Sequence, residues 1–140
     1  MYDSIPIQNG SRDYKQRNDS VISQILFASS NVRSVSLINP RGTLKGFKMR
    51  EDISLLLSPK QMGEMAMQLN SLIKSLFNFS HKLGFLHYMY LDFDDVHALV
   101  FQLADRNVWL ITVEIMENDV PRLAKFVAKL LDKNEMTYVR

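Results

Sequence analysis

Three histidines, His81, His87 and His97, and the carboxylates Asp92, Asp94 and Asp95 are the residues best suited to chemistry in this 140-residue chain. If Asp94-Asp95 forms a two-residue turn, Asp92 lies opposite His97, as a general base lies beside the carboxylate that orients it. No nucleophile is placed beside them, so the simpler reading is a cross-strand polar pair at the end of a sheet. By strand parity His87 and His97 fall on opposite sheet faces, so they cannot jointly ligate a metal. Three acids at one turn can bind a divalent cation through oxygen, but aspartates are also ordinary turn residues and no EF-hand spacing follows. Glycines stand at 10, 42, 46, 63 and 84, with no P-loop, dinucleotide fingerprint or nucleophile elbow among them. Without cysteine there is no thiol nucleophile, disulfide or cysteine-based metal site. The expectation is therefore a protein that is not an enzyme and has no cofactor or metal.

Charge and hydropathy narrow the class further. Seventeen basic against fifteen acidic residues leave a net charge of +2, too little to suggest nucleic acid as a partner. The signs are unevenly placed. Arg33, Arg41, Lys45, Lys48 and Arg50 occur in a stretch without acids, whereas residues 84–119 hold seven acids against Arg106 alone. Such a bipolar surface can steer a charged protein partner, although two solvated edges of different sign would look the same. No apolar run is long enough to span a membrane and the N-terminus is polar, which favours a cytoplasmic protein.

The elements that must position these residues read as follows. Residues 1–18 are polar and contain Pro6 and Gly10, which predicts a flexible arm. A helix is expected from Asp19 or Ser20, with Val21, Ile22, Ile25 and Leu26 on its buried side. Extended stretches Val32–Asn39 and Thr43–Met49 flank the turn Pro40-Arg41-Gly42, which makes a hairpin. Ser58, Pro59 and Gln61 form a capping box with proline at the first helical position. The helix behind it is predicted to run to Leu83 and to stop at Gly84. Strands Phe85–Phe93, Val96–Leu103 and Val108–Ile115 follow, then a helix from Asp119 with Pro121 in its first turn. The tail Glu135–Arg140 is predicted to fray.

Both faces of the three-strand meander are apolar, so helices must cover both. The outcome is an α+β, three-layer (α/β/α) sandwich around a five-stranded antiparallel sheet, in the order α-β-β-α-β-β-β-α. On the long helix the apolar residues span an arc of about 160°, wider than the roughly 100° that one sheet face requires. One flank of it carries Gly63, Ala66, Asn70, Ile73 and Phe77, small enough at its start for a second helix to approach closely. A long apolar edge strand also invites pairing with a second copy.

With its first helix and hairpin (ILFASSNVRSVSLINPRGTLKGF), its central helix (SPKQMGEMAMQLNSLIKSLFNFSHKLG) and its meander (LHYMYLDFDDVHALVFQLADRNVWLITV), residues 19–134 resemble the roadblock / dynein light chain superfamily. The resemblance implies a single domain with sheet order 2-1-5-4-3 and a non-enzymatic scaffold function. It also implies a homodimer that pairs third strands and packs central helices antiparallel. Mapped by position, that interface takes the flank Gly63, Ala66, Asn70, Ile73 and Phe77 and the edge His87, Tyr88, Met89, Tyr90 and Leu91. Many such domains bind or regulate small Ras-like GTPases or act as adaptors, and Met67 and Lys74 would then face the partner. The arm and the apolar segment Arg50–Leu57 depart from the family pattern. The competing class is a PAS- or profilin-like small-molecule sensor, which requires a cavity between the sheet and the long helix.

Overall fold

The structure, a computed structural model, describes residues 4–134, with side chains from Tyr14 onward. Its elements are α1 (Ser4–Leu26), β1 (Val32–Ile38), β2 (Leu44–Met49), α2 (Pro59–Leu76), the one-turn α3 (Ser80–Leu83), β3 (Met89–Asp92), β4 (His97–Gln102), β5 (Val108–Val113) and α4 (Val120–Lys133). The five strands form one antiparallel sheet in the order β2-β1-β5-β4-β3. Apart from α3, this is the expected element order and sheet.

Strand parity separates two cores. Val35, Leu37, Leu99, Phe101, Trp109 and Ile111 face α1 and α4, which supply Ile22, Ile25, Leu123 and Val127. Ile38, Ala98, Val100, Val108 and Leu110 face α2, which supplies Met62, Ala66 and Leu69. Helices thus cover both faces, as two apolar faces demand. The β3–β4 register pairs Tyr90 with Leu99 and Asp92 with His97, and the Phe93 amide donates to the Val96 carbonyl at 3.0 Å to close the turn. Ser58 and Gln61 cap α2 reciprocally, side chain to backbone in both directions.

Three boundaries differ from expectation. Residues 4–18, predicted as an arm, are helical and continue α1, so Asp19 and Ser20 lie inside the helix. Pro6 falls in the first turn, where its missing N–H has no intrahelical partner to lose. The long helix does not run unbroken to Leu83. A 3₁₀ turn at Phe77–Phe79 separates α2 from α3, at phenylalanines and an asparagine of modest helix propensity. β3 begins at Met89 and not Phe85, because the chain leaves α3 through Gly84 (φ 85°) and Phe85 packs on Phe77, their rings 6.0 Å apart. The tail Glu135–Arg140 lies outside the described residues.

Two local devices hold the layers together. The Arg50 guanidinium donates to the carbonyls of Val32 (2.6 Å), Ser29 (2.6 Å) and Leu26 (3.2 Å), closing the carboxyl end of α1. Glu117 joins the β5–α4 loop to the α1–β1 loop by accepting from the Asp119 amide (3.1 Å), Ser29 Oγ (3.3 Å) and Asn31 Nδ2 (3.4 Å). These donors, the Asp119 amide foremost, hold its carboxyl below the usual glutamate value against the opposing effect of burial. A depressed folded value means that the stabilisation is complete above the unfolded value and is lost as pH falls through the folded one. Chemical denaturation of Glu117→Gln against the parent is expected to show a deficit of about 1 kcal/mol at pH 7 that narrows on acidification.

α2 seats on the β1–β2 turn through two glycines. A Cβ on Gly63 would stand 2.1 Å from the Gly42 carbonyl oxygen, and Gly42 itself has φ 84°. Gly63→Ala must therefore displace backbone. Denaturant titration is expected to show a loss of about 3 kcal/mol, the upper end of the overpacking range.

Candidate functional site

The buried residues of α2 are Met62, Gly63, Ala66 and Leu69, all in its first eleven positions. Beyond them the helix keeps its apolar residues but turns part of them away from the sheet. On α2, Met65, Leu69, Leu72 and Leu76 recur at alternating spacings of four and three; Met65 and Leu69 pack on the sheet, whereas Leu72 and Leu76 do not, and Phe79 and Leu83 extend the apolar series past the 3₁₀ turn. Leu72, Leu76, Phe77 and Phe79 are 46%, 40%, 52% and 56% exposed, and Leu83 is 84% exposed. The following segment adds Phe85 and Leu86, also exposed. Between the end of α2 and this segment lies an open recess of about 370 Å³, walled by Ile73, Leu76, Phe77, Leu83 and Tyr88. Contiguous exposed apolar surface of this kind marks an interaction site.

The interface residues expected from the sequence divide in two. Gly63 and Ala66 do not lie on an open flank. Gly63 abuts Gly42 and Ala66 is in the core beneath α2, because a helix presents its smallest residues to whatever it approaches most closely, here its own hairpin. Asn70 accepts a hydrogen bond from the Gln102 amide, and Ile73 packs half-buried against the α2-side core. Phe77 alone of that flank is open. On the edge, Met89 and Leu91 point under α2, Tyr88 stacks on Phe101 at 5.6 Å, Tyr90 is exposed on β3, and His87 lies in the segment before the strand. Met67 and Lys74 lie on the outer surface of α2, with the Met67 thioether near Gly42. Leu72, Leu76, Phe79 and Leu83 fall outside the contact set expected from the sequence, although their heptad spacing is present in it.

Of the chemical candidates, His97 is buried and partnered within the fold, with the exposed Asp92 beside it, while His81, His87, Asp94 and Asp95 lie on the surface. His97 Nδ1 lies 3.1 Å from Asp92 Oδ1 and 3.0 Å from the Tyr90 hydroxyl, and its Nε2 lies 3.3 Å from the Ile115 carbonyl. A carbonyl only accepts, which assigns a proton to Nε2. Both ring nitrogens then have protein partners. Partial loss of hydration, and secondarily the Asp92 charge, raise the Tyr90 phenol above its ordinary value. Among the described residues no group of three or more histidines and carboxylates could hold a metal ion. The basic hairpin is also partly consumed: Arg33 pairs with Glu114 and donates to the Ser54 carbonyl, Arg50 caps α1, and Lys48 Nζ reaches Ser23 Oγ at 2.9 Å. Arg41 and Lys45 remain exposed, so the positive field is weaker than the sequence suggests.

No protein-family model matches this sequence, and no curated protein does. The fold nevertheless has clear counterparts among solved structures, and it is the roadblock/LC7 fold. The gliding protein MglB of Thermus thermophilus superposes with a TM-score of 0.64 at 11% identity, over 85% of this chain and 88% of that one. Myxococcus xanthus MglB gives 0.61 at 13% identity over 90% and 92%. A Roadblock/LC7 domain from Streptomyces avermitilis gives 0.56 at 16% identity over 85% and 98%. Among the described residues no helix is long and apolar enough to cross a membrane.

Proposed function

We propose that this chain is a non-catalytic, cytoplasmic scaffold module of roadblock type that works as a homodimer and presents its paired α2 helices to a second protein. One observation carries the reading. Leu72 and Leu76 at the end of α2, with Phe77 and Phe79 in the turn that follows and Leu83 on α3, form an apolar surface that the sheet does not cover. A two-fold axis beside that stripe would bury Leu72, Leu76, Phe77 and Phe79 against their twins. The β3 edge supports the same arrangement, because its four residues Met89-Tyr90-Leu91-Asp92 leave one row of backbone groups open to pairing. The opposite edge, β2, carries Lys45 and Lys48, which discourage strand addition. A solved form of MglB, similar in fold with a TM-score of 0.62 at 10% identity, has a tetrameric arrangement, which supports self-association for this fold. The class of partner, a small Ras-like GTPase, comes from the resemblance to the roadblock superfamily, and Met67 and Lys74 are the positions assigned to it.

Light scattering is expected to give twice the protomer mass of 16.2 kDa. Phe77→Glu and Leu76→Glu should shift the protein to monomer, whereas Glu64→Lys should leave the dimer intact. A monomer at micromolar concentration in the parent protein would sink the dimer reading. For the partner, affinity capture is expected to recover a P-loop GTPase with the parent dimer and to lose it with Met67→Glu/Lys74→Glu, the dimer persisting. Partners that depend instead on Arg41 and Lys45 would turn the assignment to the hairpin.

A further inference from the structure

We propose that the open cavity between the first half of α2, the sheet and the segment 53–57 binds a small, neutral, mainly apolar molecule carrying one carbonyl or hydroxyl acceptor. The cavity measures about 250 Å³. An apolar cavity of roughly 150 Å³ holds benzene, so this one has room for a body of roughly eight to ten heavy atoms.

The walls and the floor differ in chemistry. Met62 and Met65 form the helical wall, Leu55, Leu56 and Leu57 the roof, and Phe93 closes one end. This gives a place in the structure to the apolar segment that no hairpin–helix connection requires. Arg33 ties the roof down by donating to the Ser54 carbonyl at 3.2 Å. The floor is polar where a buried sheet face would ordinarily be aliphatic. Ser34 and Ser36 on β1 and Thr112 on β5 share the face of Ile38 and Leu110, and the two serines are 6% and 1% exposed.

Counting hydroxyl protons shows what the floor can offer. Ser34 and Thr112 bond each other, and one bond uses one of their two protons, leaving one O–H to donate. Ser36 donates to the Met62 thioether at 3.6 Å, a weak acceptor that a carbonyl would displace readily. The site therefore supplies donors to an acceptor. It supplies no net charge, since Arg33 at the rim is neutralised by Glu114. A carboxylate would lose its hydration without a free cation to meet it, so a neutral ligand is selected. The pliable methionine thioethers suit an occupant of irregular shape.

The test uses the full chain with acetophenone as the probe and ethylbenzene as its headless counterpart. Titration followed by the methyl resonances of Met62 and Met65, together with thermal unfolding, is expected to show saturable binding of acetophenone and a raised melting temperature. The double variant Ser34→Ala/Thr112→Val, which removes both hydroxyls of the pair, should weaken acetophenone about fivefold, the effect of one hydrogen bond, and leave ethylbenzene unchanged, whereas Thr112→Val alone frees the Ser34 hydroxyl and should retain acetophenone. Ala98→Leu and Ser36→Leu, which occupy the space, should abolish both. The proposal is overturned if acetophenone gives no saturable shift, if binding survives in both filled variants with native circular dichroism, or if Ser34→Ala/Thr112→Val weakens the two probes equally. Dimer mass does not enter this test, so it stands apart from the reading of the α2 surface.

Discussion

The close approach of Gly63 to the Gly42 carbonyl sets the placement of α2, and much of the molecule follows from it. Only a residue without Cβ lets a helix ride this low on a hairpin turn. Pinned there, α2 buries Met62, Ala66 and Leu69 against the strand positions Ala98, Val100 and Leu110. Contact with the sheet continues on one side through Asn70, which accepts from Gln102, and Ile73, while Leu72 and Leu76 on the other side of the last turns stay exposed. The same seating leaves the lower part of the sheet, at Ser34 and Thr112, without helix cover. There the segment 53–57 takes over. An exposed apolar helix end and a roofed cavity are thus two consequences of one anchor.

The other face of the sheet has no such asymmetry. α1 and α4 together cover it along its length, with Trp109, Phe101 and Ile111 almost fully enclosed. The polar fastenings, Arg50 on the carbonyls of Leu26, Ser29 and Val32 and Glu117 across two loops, sit at the margins of this face, where chain ends would otherwise leave buried carbonyls and amides without partners. The two faces differ in kind: one is closed by the chain itself, the other is closed only in part.

What was legible in the sequence follows this division. Hairpin and cap chemistry is local, so Pro40-Arg41-Gly42, Ser58 with Gln61, and the Asp94-Asp95 turn fix their geometry within a few residues, and the β3–β4 register follows from the last of these. Strand parity then separates Leu99 and Phe101 from Ala98 and Val100 without reference to anything distant. The helix over residues 4–18 escaped because that stretch, mostly polar and carrying Pro6 and Gly10, shows no sustained helical periodicity. Residues 85–88 escaped because alternation and aromatic content describe a strand, while the Phe85–Phe77 contact that draws them from the sheet is tertiary. Gly63 reads as a close-approach residue in the sequence, but the neighbour expected there, a second helix, is not the one it meets. Small side chains show that something comes near, and only the fold shows that it is Gly42.

The distribution of polar groups bears on function as strongly as the apolar stripe does. His97 spends both ring nitrogens on Tyr90, Asp92 and the Ile115 carbonyl, and Arg33 spends its guanidinium on Glu114 and Ser54. A group that must exchange protons or bind a charged substrate needs an unfilled valence toward solvent or a cleft. In His97 and Arg33 those valences are taken up by neighbouring protein groups. The surface that remains distinctive is apolar: leucine and phenylalanine on the far half of α2, an open strand edge beside it, and flanking charges of opposite sign at Lys45 and Asp94. Apolar area removed from water supplies most of the driving force for association, while rim charges mainly orient the encounter. That ordering puts the apolar surface at the end of α2 at the centre of any contact with another surface, and leaves the charged margins to orient the approach.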